Sequence, residues 1–117
     1  MGYQIVSVDA GQTVFELTPS EHHYNPFSTV HGGMLSTLLD AAMTAAVMTL
    51  LPPGKACSTL ELKVNFIRPV NSRTGVIRAK ASIIHAGSRV ATVEGRLIDE
   101  KEKLYAHATS TCLIITL

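Results

Sequence analysis

Between Glu21 and Lys55 the chain carries one formally charged residue, Asp40, in the middle of the apolar stretch GGMLSTLLDAAMTAAVMTLL (Gly32–Leu51). A run of this length first raises the possibility of a membrane span. A charged side chain near its centre would cost roughly 2.5–3.5 kcal/mol on insertion scales. Ser36, Thr37, Thr44 and Thr49 weaken the membrane reading further, and Pro52 and Pro53 end the helix. The stretch is therefore expected to be a helix of a soluble domain, opening near Gly32-Gly33 and closing at Pro52. It is apolar nearly all round, so other elements must cover it on nearly every side.

The remaining sequence reads as strand. YQIVSVD and QTVFELT alternate about the turn Ala10-Gly11 and predict a hairpin. Pro19–Val30 has no period and reads as loop. After the helix, CSTLELKVNFIRPV (Cys57–Val70) alternates, with Leu60, Leu62, Val64 and Phe66 assigned to one face and Thr59, Glu61, Lys63 and Asn65 to the other. GVIRAKASIIHAG (Gly75–Gly87), RVATVEGRLIDE (Arg89–Glu100) and KLYAHATSTCLIITL (Lys103–Leu117) are three more strands, joined at Gly87-Ser88 and at Asp99–Lys103. The order is two strands, one helix, then four strands. That order predicts an α+β fold: one long central helix wrapped by a curved antiparallel sheet, in a single domain over residues 1–117.

Composition narrows the function. Of 117 residues, 46% are apolar and 16% charged. That leaves little polar surface for a lone monomer and points to burial against a partner. A net charge of +1, no Trp and only three Tyr and three Phe argue against a nucleic-acid surface. Cys57 and Cys112 are too few for a disulfide framework and read as reduced core thiols of a cytoplasmic protein. MGYQIVSVDAG is alternating and polar, unlike a secretory leader. No His, Cys or Asp cluster has metal-ligand spacing, so no metal is expected.

The motif NPFSTVHGG, with Asp40 nine residues after His31, resembles the hotdog-fold acyl-CoA thioesterases of the phenylacetate-pathway type. ELKVNFIRPV, HAGSRVATVEGRLID and LYAHATSTCLI extend the resemblance over nearly the whole chain. One departure is Ser28, where the family would have Gly. The resemblance implies the hotdog fold, a homodimer that pairs into a homotetramer, and hydrolysis of an acyl-CoA or acyl-carrier-protein thioester without a cofactor.

Several residues are candidates for that chemistry. Asp40 suits a general base or nucleophile; the alternative is a structural acid paired with an Arg or Lys at a subunit contact. Ser36, Asp40 and Thr44 are spaced by four and share one helix face. Gly32 and Gly33 stand where a helix N-terminus presents unpaired N–H groups to a thioester oxygen. The resemblance assigns the oxyanion role to the Gly32 amide; Gly33 and Thr44 are placed against substrate. His31 either polarises the site or holds the loop. By resemblance, Asn25 places water or substrate, though Asn-Pro alone reads as a turn. Thr59 matches the position of a hydroxyl that partners the acid, and Ser58 would point to the other face. Arg68 and Gly87-Ser88-Arg89 resemble contacts to the phosphates or pantetheine of coenzyme A, although a hairpin turn and solvated charges explain them equally.

Gly32 and Asp40 are eight residues apart on one helix, roughly 12 Å. Both must lie near one reacting group, so the two are expected to come from different subunits about a two-fold axis. Two alternatives of other classes are a non-catalytic acyl-ligand binding protein and a hotdog dehydratase using His31.

Overall fold

In the computed structural model, which describes residues 2–20, 23, 24 and 29–117, the elements follow the expected order. They are β1 (Gln4–Asp9), β2 (Gln12–Leu17), α1 (Gly32–Met48), β3 (Lys55–Phe66), β4 (Ile77–Ala86), β5 (Val90–Asp99) and β6 (Leu104–Thr116). The six strands form one antiparallel sheet in the order β1-β2-β4-β5-β6-β3. The chain leaves the sheet after β2, lays α1 across one face, and returns as β3 at the opposite edge. No helix among the described residues is long and apolar enough to cross a membrane.

Both ends of α1 have local causes. At its start, His31 is extended (φ −58°, ψ 131°) and its Nδ1 accepts the Gly33 amide at 3.0 Å, satisfying one of the orphan donors of the first turn. At its end, the Thr49 hydroxyl donates to the Ala46 carbonyl and accepts the Gly11 amide, both at 2.7 Å. This pins the β1–β2 turn to the helix terminus, and Pro52-Pro53 prevents further winding. The β5–β6 turn closes on Asp99, whose carboxylate accepts the amides of Lys101 and Lys103. Those amides, Lys103 foremost, hold the Asp99 carboxyl below its usual range.

The core is built from two layers. The helix supplies bulk through Leu35, Leu38, Leu39, Met43 and Val47. The sheet beneath it supplies Phe15, Leu17, Ile77, Val93 and Leu97 together with a floor of small residues, Ala79, Ala81, Ala91, Ala106 and Ala108, all buried. At the centre of that floor a Cβ on Gly95 would sit 3.2 Å from the Leu39 and Met43 side chains. Glycine here sets how closely helix and sheet approach. Gly95→Val is expected to destabilise the fold by about 1–3 kcal/mol through overpacking. A urea midpoint equal to that of the parent protein would show that the layers can separate without cost.

One expectation for β3 needs correction. Leu60, Leu62, Val64 and Phe66 do not share a buried face: Leu60 is 59% and Phe66 52% exposed. The register with β6 shifts between Thr59, opposite Cys112, and Glu61, opposite Thr111, leaving Leu60 as an extra residue. This β-bulge resets the alternation. Thr59 upstream and Leu62 and Val64 downstream therefore all face the helix.

Candidate active site

The β3 bulge brings the first group of side chains together. Asp40 is half-buried on the flank of α1 that faces β3. Its Oδ1 accepts a hydrogen bond from the Thr59 hydroxyl at 2.8 Å. One turn further along α1, the Thr44 hydroxyl lies 3.4 Å from that of Thr59. Two residues before Thr59, the Cys57 thiol lies 3.8 Å from the Thr44 carbonyl oxygen. Burial first, then the neighbouring Cys112 thiol and the Asp40 charge, push the Cys57 thiol up to about 11. It is thus a neutral polar lining at physiological pH and no nucleophile. Cys57 is half-buried and Cys112 buried, and neither is in a disulfide in this structure. Asp40 forms no ion pair among the described residues. Within this chain, then, no described Arg or Lys supports the structural-acid alternative.

The second group lies at the start of the helix. The Gly32 amide has no hydrogen-bond partner among the described residues. It borders a cleft of about 290 Å³ that includes Leu35, Phe66, Ile67, Arg68 and Val70. The Phe66 ring stands over Gly32, where a Cβ would meet it at 3.3 Å. His31 is exposed, and its Nδ1 is occupied by the Gly33 amide. That bond caps the first turn of α1.

The remaining candidates are dispersed. The Arg68 guanidinium donates to the Leu104 carbonyl at 2.6 Å, at the start of β6. The Gly87–Arg89 turn lies at the other end of the sheet, where the Arg89 carbonyl accepts the Ile114 amide. Leu104 and Ile114 are ten residues apart on β6, roughly 33 Å along a strand. One chain therefore does not bring Arg68 and Arg89 to the same phosphate. Gly87 also has a packing reason to be glycine, since a Cβ would lie 2.8 Å from the Val90 carbonyl oxygen. Asn25 and Ser28 lie outside the described residues. Cys57, read from the sequence as a core thiol, and Phe66, read as one apolar strand residue, border the two groups and were not among the candidates for the chemistry. Cys57 shares its alternation with Thr59, and that was the available signal. Among the described residues, no cluster of three or more His, Cys, Asp or Glu is placed to hold a metal ion.

A single helix laid on a six-stranded antiparallel sheet is the hotdog architecture, here with a lone carboxylate on the helix flank and an unpartnered amide at its start. Residues 27–106 match the thioesterase superfamily, and the chain belongs to that superfamily. It is 29% identical over 114 residues to 1,4-dihydroxy-2-naphthoyl-CoA hydrolase of Listeria monocytogenes serotype 1/2a (strain 10403S), covering 97% of this chain and 91% of that protein. It is 26% identical over 106 residues to the acyl-coenzyme A thioesterase PaaI of Escherichia coli (strain K12), covering 91% of this chain and 73% of that one. Among solved structures, a phenylacetic acid degradation-related protein of Ralstonia eutropha JMP134 superimposes with a TM-score of 0.86 at 35% identity, over 95% of this chain and 83% of that one. The protein is a thioester hydrolase.

Proposed function

We propose that the enzyme hydrolyses acyl-CoA thioesters at a site shared between two copies of the chain. The reaction is R–CO–S–CoA plus water, giving R–COOH and the free thiol. Asp40 either takes a proton from the attacking water or attacks the carbonyl carbon itself. The Gly32 amide of the partner copy receives the carbonyl oxygen as it becomes an oxyanion. The Thr59 hydroxyl orients the Asp40 carboxylate and the water, and Thr44 lies against the substrate one turn away. Asn25 keeps the role of placing water or substrate.

The observation that carries this reading is a half-buried carboxylate held by a hydroxyl and by no cation among the described residues. An uncompensated charge is costly to bury, and such cost is concentrated where chemistry needs it. The shared site is supported by the helix itself. Gly32 and Asp40 sit at fixed positions roughly 12 Å apart, too far for one carbonyl group. It is also supported by β3, which ends the sheet with no strand on its outer side among the described residues and carries exposed Leu60. The second copy completes a homodimer, which pairs into a tetramer. Arg68 of one copy and Gly87-Ser88-Arg89 of another then hold different parts of the coenzyme A moiety.

The test is a panel of aryl-acyl and fatty-acyl CoA thioesters, with the same acyl groups on a carrier protein, assayed for released thiol. Turnover is expected with the CoA thioesters. Binding without thiol release from any of them would overturn the hydrolase reading in favour of an acyl-binding protein. Enoyl product without free thiol would overturn it in favour of a dehydratase.

A further inference from the structure

A shared site fixes more than the existence of a second copy. If Gly32 of one chain serves the carbonyl group that Asp40 of the other serves, a two-fold axis requires the reverse pairing as well. The stretch Gly32–Asp40 of one copy then runs antiparallel to the same stretch of its partner. Each residue stands opposite the one equally far from the centre. That centre is Ser36, four residues from either end and roughly 6 Å along the helix from each. A residue at the centre of a two-fold contact faces its own symmetry mate.

Direction agrees with position. Gly32 and Asp40 are each turned by about 40° around the helix from Ser36, on opposite sides. A partner faced by both of them is therefore faced most squarely by Ser36. Hydrogen bonding sets the same residue apart. Of the four hydroxyl side chains between Gly32 and Thr49, Thr37 donates to the Gly33 carbonyl, Thr49 donates to the Ala46 carbonyl, and Thr44 lies against Thr59. Ser36 alone has no hydrogen-bond partner among the described residues. Packing leaves room as well. Ser36 is half-buried, and Gly33 and Thr37 beside it are exposed. Small side chains at the centre of the stretch let two helix axes approach to the usual distance of about 8–10 Å.

We infer that the two-fold axis of the dimer passes between the Ser36 side chains of the two copies, whose hydroxyls bond to each other there. One active site lies four residues away on either side. β3 runs beside the same stretch, with Thr59 on Asp40 and Phe66 over Gly32, so its outer side also faces the partner. The inference deepens the shared-site reading and rests on it.

Ser36→Cys is the test. Oxidised with diamide, this variant is expected to become mostly covalent dimer, because two cysteines link only when their Cα atoms lie within about 7 Å. Thr44→Cys, whose symmetry mates would stand roughly 24 Å apart along the helices, should run as single chains on a denaturing gel. So should the parent, with its Cys57 and Cys112. The mass of the linked peptide tells a Ser36→Cys pair from a link through either native thiol. Dimers confirmed by size but with no Ser36→Cys link above the Thr44→Cys background would overturn the inference. Ser36→Phe reads the same contact without a thiol. Two rings on the axis would wedge both sites open, lowering thiol release at least about tenfold, while Ser36→Ala should stay within about threefold of the parent. Parental turnover in Ser36→Phe would overturn the inference too. The mixture of Gly32→Pro and Asp40→Asn chains is measured alongside. Activity recovered there without the cysteine link would sink the Ser36 contact alone. The link without recovered activity would sink the shared-site reading and leave the Ser36 contact standing.

Discussion

Asp40→Asn is expected to lose thioester hydrolysis by roughly 10²–10⁴-fold, the contribution of a positioned acid–base group, while remaining folded. The substitution is nearly isosteric. The asparagine carbonyl can still accept the hydrogen bond that Thr59 donates to Oδ1 at 2.8 Å. What is removed is the charge, and that charge has no cationic partner among the described residues of its own chain. A half-buried, unpaired carboxylate weakens the folded state, so Tm should stay level or rise as activity disappears. This opposed response is the signature of a group kept for chemistry at the expense of stability. The measurements are thiol release under saturating substrate and a thermal melt on the same preparation. Near-native turnover would remove Asp40 from the mechanism. Loss of folding would return it to a structural role, with its cation supplied by a partner subunit.

Gly32→Pro is expected to lower the rate by about 10²–10³-fold, the effect of losing one oxyanion donor. Gly33→Ala, which keeps both amides, should have a much smaller effect. Proline fits the first position of a helix, and His31 before it is already extended, as a residue preceding proline must be. The Phe66 ring is the nearest obstacle, 3.3 Å from an added Cβ, but it is half-exposed and can give way. The same variant tests whether the site is shared. Mixed with Asp40→Asn, random pairing gives half mixed dimers. In each, one site receives the intact Gly32 of one chain and the intact Asp40 of the other. Roughly a quarter of parental activity should return after co-refolding if a two-fold axis relates the copies. Mixed dimers confirmed by size and mass but no more active than their parents would place Gly32 and Asp40 in separate roles.

Much of this architecture was legible in the residues. The helix announced itself by an uncharged run ended by two prolines, the β1–β2 hairpin by its turn at Ala10-Gly11, and the β5–β6 turn by Asp99. The antiparallel sheet followed from four strands with short connections and only one helix to cover. The bulge at Leu60 was not legible. One inserted residue leaves no mark on composition, and the pattern L-E-L-K-V-N-F reads as unbroken alternation, so Thr59 was assigned to the face away from Leu62 and Val64. Its actual direction depends on β6, where it pairs with Cys112, more than forty residues away in sequence, before the register shifts. His31 carried two readings because a side chain's capping role depends on the angle at which the chain enters the helix, which sequence does not display. Arg68 and Arg89 each read as a plausible anion contact. Only the strand order reveals that they occupy opposite ends of the sheet.

The small-residue floor beneath α1 places limits on how this protein can vary. Where a core is filled from both sides by large side chains, substitutions fail mostly by leaving holes. Here, beside the buried Phe15, Leu17, Ile77, Val93 and Leu97 of the sheet, the floor positions Ala79, Ala81, Ala91, Gly95, Ala106 and Ala108 are already at or near the minimum size. Mutation at these positions can mostly go only upward in volume, and each added carbon presses on the one helix that carries both Gly32 and Asp40. Tolerance along the chain should therefore be lopsided: the helix accepts exchange among large apolar residues, while the sheet beneath it has a ceiling. A deep substitution scan read out by folding alone and by thiol release is expected to show the two losses coinciding at the floor positions, if the helix carries the proposed Gly32 and Asp40 site.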